Sequence, residues 1–301
     1  MRIFKRIVAW ALGIIAVLVL TLVASIAVEG WLGNGRIDTL TNTRVSSVGN
    51  PDVRAFVARP DGEGPFPAVI MVHEWWGLNN KIVEKAEELA KQGYVVVAPD
   101  TLRGSSTDWI PRAIYQVATA NTAQVNTDVD AVYTWLTAQP DVVADKIAIM
   151  GFCYGGRTSL LYSIHNPQIA ATGIFYGMAD TTPEQLAALR GPVLGIWGGA
   201  DASIPLAEVD ALAANLEAAG VSHTFRVFEG QPHAFVKSVA EIQQGGPQQE
   251  AWNDLLVFLD NALNGSASVA PTTPSGVPAA PDSTTLAGVI HHMFVCKLGG
   301  L

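Results

Sequence analysis

The chain has 301 residues, 49% hydrophobic and 15% charged, with a formal net charge of −9. That is ample apolar material for one large α/β domain, and the acidic balance without any basic block argues against a nucleic-acid partner. Two cysteines, Cys153 and Cys296, do not make a disulfide framework, and no CxxC pair or HExxH motif points to structural zinc.

The chain starts with a basic flank, residues 1–6, that carries Arg2, Lys5 and Arg6, followed by an uncharged apolar run over residues 7–28. About 20 such residues cross a bilayer, whereas a signal-peptide core holds about 7–15, so residues 7–28 read as a transmembrane anchor. The basic flank stays in the cytoplasm, which puts the rest of the chain on the extracytoplasmic side. Ser25-Ile26-Ala27 supplies a small-residue site for the alternative, a cleaved signal peptide and a secreted domain. Residues 29–52 are expected to be a linker and domain entry.

From residue 53 strand and helix patterns alternate. Val53 to Pro60 alternates apolar and polar residues, as a half-buried strand does. "FPAVIMVHE", "GYVVVAPD", "KIAIMGF", "IAATGIFYG" and "GPVLGIWGG" are short apolar runs of the kind buried on both faces, and "HTFRVFEG" closes the series. Between them, Lys81 to Gln92 spaces Ile82, Lys85, Ala86, Leu89 and Ala90 so that the apolar members share one helical face. Val125, Val129, Val132 and Leu136 repeat that pattern; Leu206 to Ala219 is helical with Gly220 as its stop, and Trp252 to Leu263 closes the domain. Such alternation predicts a mainly parallel sheet with helices on both faces, over residues 53–263. Residues 264–301 are rich in Pro, Ser and Thr and are expected to be a disordered tail, in which His291 and His292 are not a metal site.

Functional groups of a parallel sheet gather on loops beyond the carboxyl ends of its strands. Four loops carry reactive residues. "HEWWGLNN" follows one apolar run. "GFCYGG" puts Cys153 between a strand and a helix, with glycines flanking the apex, in the manner of a nucleophile elbow. A helix N-terminus there would favour a thiolate. Alone, a GxCxG turn is equally consistent with a small buried cysteine. "GGADASIP" supplies Asp201 and "EGQPHAF" supplies His233. The order nucleophile, acid, histidine, each beyond a different strand, is that of the α/β-hydrolase fold. His165, late in a helix, and His223, at a strand start, are read as structural or solvated, and His73 as shaping its loop.

Taken in order, "HEWWGLN", "KQGYVVVAPDTLRG", "GFCYGG", "GGADASIP" and "GQPHAF" resemble the dienelactone hydrolase family over roughly Val53 to Leu263. The resemblance implies a Cys-His-Asp triad of Cys153, His233 and Asp201, with Glu74 taking part in activating the cysteine. It also implies an oxyanion hole made by the backbone N–H groups of Trp75 and Tyr154. Arg103 and Lys237 fall near the two places where family members clamp a substrate carboxylate with arginines, and lysine is a poorer planar clamp. Trp75, Trp76, Tyr154 and Trp109 suggest an aromatic-lined pocket, with Trp76 among the substrate contacts. The expectation is a membrane-tethered hydrolase of a small-molecule ester or lactone that needs no cofactor. Alternatives on the same triad are a thioesterase, acyltransferase or peptidase; the alternative of another class is a degenerate, membrane-tethered binding module.

Overall fold

The computed structural model describes residues 2–46 and 51–265. Helix α1 (Arg2–Leu40) is followed by strands β1 (Thr43–Val45), β2 (Val53–Ala58) and β3 (Phe66–Val72), then helix α2 (Asn80–Ala90) and strand β4 (Val95–Pro99). Helices α3 (Ile110–Ala118) and α4 (Thr122–Thr137) precede β5 (Val142–Phe152), α5 (Tyr154–His165) and β6 (Ala171–Phe175). The described residues continue with α6 (Pro183–Leu186), β7 (Val193–Gly198), α7 (Leu206–Ala218), β8 (His223–Phe228), α8 (Val239–Gln243) and α9 (Pro247–Asn264).

The strands form one 8-stranded sheet in the order β1-β2-β4-β3-β5-β6-β7-β8. β1 and β2 pair antiparallel at one edge, and every pairing from β4 to β8 is parallel. β4, β6 and β7 are buried along their whole lengths, and β3 and β5 over their carboxyl-terminal halves, because helices cover the sheet: α4 and α5 pack together across β3 and β5, while α8 bridges α2 and α9. This is the α/β-hydrolase architecture that the order of motifs implied.

Within the expected linker and domain entry, residues 29–46 carry regular structure. Helix α1 runs on to Leu40, Ile37 is fully buried, and β1 joins the sheet. The large apolar side chains of α1 from Ile3 to Leu32 are exposed, and the helix is long and apolar enough to cross a membrane. The closing helix begins at Pro247, five residues before Trp252, because proline is tolerated in a helix's first turn. Asn264 still belongs to it, with Gly265 as its left-handed cap (φ 72°). The rest of the predicted tail, with His291, His292 and Cys296, lies outside the described residues.

Candidate active site

Cys153 caps the N-terminus of α5 with φ 55° and ψ −113°. This region costs a non-glycine residue about 1–3 kcal/mol and persists only where the surroundings enforce it. Here the enforcement is visible. The Cys153 N–H donates to the Phe175 carbonyl at 2.9 Å. A Cβ on Gly151 would strike the Gly155 backbone, and one on Gly155 would strike the Val72 and His73 carbonyls. The two glycines therefore let β5, α5 and the end of β3 meet within van der Waals distance, which brings the "HEWW" loop beside the elbow.

Asp201 and His233 are joined by a 2.6 Å contact between Asp201 Oδ2 and His233 Nδ1. The other carboxylate oxygen accepts from the Ser203 and Ile204 N–H groups at 2.7 and 3.2 Å. The aspartate is thus fixed before it meets the ring, and the imidazole is fixed in turn. The two loops are also tied through their backbones, with the Ala200 N–H donating to the Gln231 carbonyl at 2.9 Å. Gly198 makes this approach possible, since a Cβ there would meet the Pro232 carbonyl at 2.7 Å.

His73 has a different role. It is wholly buried, with Nδ1 2.7 Å from the Glu74 carbonyl and Nε2 3.0 Å from Thr101 Oγ1. Burial pulls its imidazole down to about 4, so it is neutral at pH 7 and braces the loop. His165 pairs with Asp130 at 3.0 Å on the surface, and His223 opens β8.

Glu74 is nearly buried, while Trp75 and Trp76 are half-buried and meet edge-on at 4.8 Å between centroids. Arg103, at φ 49°, turns its guanidinium onto the fully buried carboxylate of Asp128 on α4 through Nε and Nη2. Lys237 is exposed just before α8.

The sequence reading passed over Tyr176. It is fully buried at the end of β6, at φ 40°, with its ring edge-on to His233 at 5.3 Å and its hydroxyl donating to the Val236 carbonyl at 3.2 Å. Burial, then the charges of Glu74, Cys153 and Glu241, push its phenol far above the ordinary range, so it stays protonated. Its ring and hydroxyl contacts place Tyr176 against the His233 loop. Its signal in the sequence was position alone: the residue beyond the next strand after the elbow.

The family model described as the dienelactone hydrolase family matches residues 53–263. The chain belongs to the dienelactone hydrolase family. A relative in Methylorubrum extorquens named "Putative carboxymethylenebutenolidase" is 32% identical over 217 residues, 67% of this chain and 75% of that protein. One of the same name in Escherichia coli is 32% identical over 229 residues, 71% of this chain and 84% of its own. Among solved structures, one titled as a putative dienelactone hydrolase from Klebsiella pneumoniae superposes with a TM-score of 0.64 at 30% identity, covering 72% of this chain and 96% of that one. Membership makes this dienelactone hydrolase-like protein a hydrolase of the ester or lactone type. The matched segment begins at β2, so α1 and β1 are additions outside the family domain.

Proposed function

We propose that this family member cleaves an ester or lactone through a cysteinyl acyl-enzyme, with Cys153 as nucleophile, His233 as base and Asp201 as its orienting acid. The observation that carries the reading is the 2.6 Å Asp201–His233 pair, supplied by the ends of β7 and β8, together with the strained cysteine elbow between β5 and α5.

His233 Nε2 takes the Sγ proton as sulfur bonds to the substrate's carbonyl carbon, and the carbonyl π electrons move onto oxygen. Backbone N–H groups of Trp75 and Tyr154 stabilise that oxyanion; Tyr154 is the first residue of α5, where N–H groups lack partners within the helix. Asp201 holds the Nδ1 proton and stabilises the imidazolium. Collapse expels the alkoxide, which takes the proton from His233 and leaves a thioester. Water then attacks the thioester carbonyl, His233 accepts its proton, and the departing thiolate is reprotonated. Glu74, a nearly buried carboxylate in the loop beside the elbow, is assigned a part in activating Cys153.

Trp75, Trp76 and Trp109 favour an aromatic or extended acyl group. Arg103 and Lys237 are the candidate contacts for a charged substrate. Because Arg103 is paired with buried Asp128, a substrate carboxylate would have to compete with that pair, which favours uncharged esters. For residues 7–28 we infer an uncleaved anchor, with the domain of residues 53–263 outside the cytoplasm, from the exposed apolar surface of α1 behind Arg2, Lys5 and Arg6.

The test is hydrolysis of p-nitrophenyl esters and of dienelactones by the full chain in detergent, with Cys153→Ala and His233→Ala as controls. Turnover that survives Cys153→Ala sinks the nucleophile assignment. No turnover of any ester or lactone would favour the binding-module alternative. Protease shaving of intact cells and the N-terminal sequence of the mature chain test the anchor and its orientation.

A further inference from the structure

The loop between β4 and α3 is unusual in what buries it. Gly104, Ser105, Ser106 and Thr107 are all buried, yet they offer no large apolar side chain to a core. Their burial comes from the base of α1, which lies outside the family domain.

Glu29 and Arg36 are seven residues apart, two helical turns on one face, and Arg36 Nη1 donates to Glu29 Oε1 at 2.6 Å. The same guanidinium nitrogen donates to the Ser106 carbonyl at 2.8 Å, and Thr107 Oγ1 donates to Glu29 Oε1 at 2.9 Å. Between them Gly33 presents bare backbone, and a Cβ there would stand 2.6 Å from the Ser106 carbonyl oxygen. One turn earlier, the Arg112 guanidinium fills the space where a Cβ on Gly30 would sit, 2.7 Å away. At the loop's other end, Arg54 links Asp38 of α1 (3.0 Å) to Asp100 (3.2 Å), which accepts the Gly104 N–H at 2.6 Å.

The loop's inner side supports the candidate oxyanion turn. The Thr107 N–H donates to the Trp76 carbonyl at 2.9 Å. Ser105 packs so closely on Gly77, at φ 84°, that a Cβ there would overlap its carbonyl. Gln116 of α3 donates through its side-chain amide to the Trp75 carbonyl, and Arg112 donates to Ser105 Oγ. The peptide groups around Trp75 are therefore gripped by a loop and a helix that are themselves gripped by α1.

We propose that residues 29–40 of α1 are a working wall of the active site, in which Glu29 and Arg36 are positioning residues that set the Trp75 oxyanion turn through the Ser105–Thr107 loop. The proposal rests on the oxyanion assignment made above. It does not depend on the fate of the apolar span, because cleavage after Ala27 would leave Glu29 to Leu40 on the mature chain. The family's ester chemistry is then completed here by a segment outside the family domain.

The experiment uses the full chain in detergent, in a Cys296→Ser background so that Cys153 is the one thiol. Two rates are compared: turnover of p-nitrophenyl butyrate, which needs the oxyanion hole, and alkylation of Cys153 by iodoacetamide, which passes through no oxyanion. Complete loss of one oxyanion donor lowers turnover about 10²–10³-fold, so a displaced donor is expected to lower kcat roughly 10-fold or more. Arg36→Ala and Gly33→Ala should each do so with KM and alkylation rate within about threefold of the parent, and Arg36→Lys should recover part of the loss. Unchanged kcat in both variants, or kcat and alkylation falling together with a lowered Tm, overturns the proposal. Parent turnover that survives Cys153→Ala defeats the triad assignment instead, so the two failures are told apart.

Discussion

Lys85 lies wholly buried on α2, with its Nζ 4.1 Å from the ring centroid of Phe152, the residue before Cys153, and no hydrogen-bond acceptor on that nitrogen among the described residues. Burial draws its ammonium down from 10.5 to about 8; Glu74 opposes the shift, Lys81 adds to it, and Glu241 and Glu84 oppose it more weakly. That drop corresponds to about 3 kcal/mol against keeping the charge folded at pH 7. Lys85→Met removes the charge and keeps an unbranched chain over the ring, at the loss of about 2 kcal/mol of desolvated cation–π attraction. The variant is expected to be more stable by about 1 kcal/mol at pH 7, or roughly 2–4 °C in Tm for a domain of this size. The sign of the pH dependence follows from proton counting. Between about 8 and 10.5 the unfolded chain keeps the Lys85 proton and the folded chain has lost it, so this group makes wild-type stability rise with pH. The advantage of Lys85→Met should therefore shrink from pH 7 to pH 10. Guanidinium unfolding of the full chain in detergent, followed by tryptophan fluorescence at several pH values, measures both effects. A variant less stable than wild type at pH 7, or a difference that stays constant up to pH 10, would refute the reasoning.

Other expectations concern the loops. Asp201→Asn keeps an oxygen for the Ser203 and Ile204 N–H groups but presents the wrong partner to His233, so kcat for p-nitrophenyl esters should fall about 10³–10⁴-fold with the circular dichroism unchanged. Gly77→Ala must hold alanine at φ 84° against Ser105; chemical denaturation should show a loss of at least 1–3 kcal/mol, accompanied by reduced kcat. Arg103→Ala leaves the Asp128 carboxylate buried without its cation, and a loss of about 3 kcal/mol is expected at pH 7. Asp128 already has a pKa raised by burial and held back by Arg103, so without Arg103 it rises further. The deficit should accordingly narrow as pH falls and the carboxyl is protonated, and KM for an uncharged ester should stay within about twofold; a larger rise would point to direct substrate contact.

The sequence by itself determined the order of the strands from β2 to β8 and of the longer helices α2, α4, α5, α7 and α9, though not α3, α6 or α8, because buried parallel strands read as continuous apolar runs and amphipathic helices as a three-to-four spacing. It marked the candidate loops too. Glycines at 151 and 155 are legible because only a residue without Cβ allows that elbow, and Asp201 and His233 because their strand-end positions repeat a known chain order. Only the tertiary structure decided what each side chain meets. Arg103 reads as a carboxylate clamp until Asp128 is seen beneath it, and Lys85 reads as one more helix residue until Phe152 is found under its ammonium. Tyr176 carries no motif, since its place beside His233 depends on two strands distant in sequence. Residues 29–40, part of the stretch expected to be a linker and domain entry, gave no helical signal because their contacts are with polar backbone, through glycine, glutamate and arginine, and leave no hydrophobic period. Local patterns record what a segment buries in a core; a segment whose partner is another loop's carbonyl groups is recognised only once the fold has brought the two together.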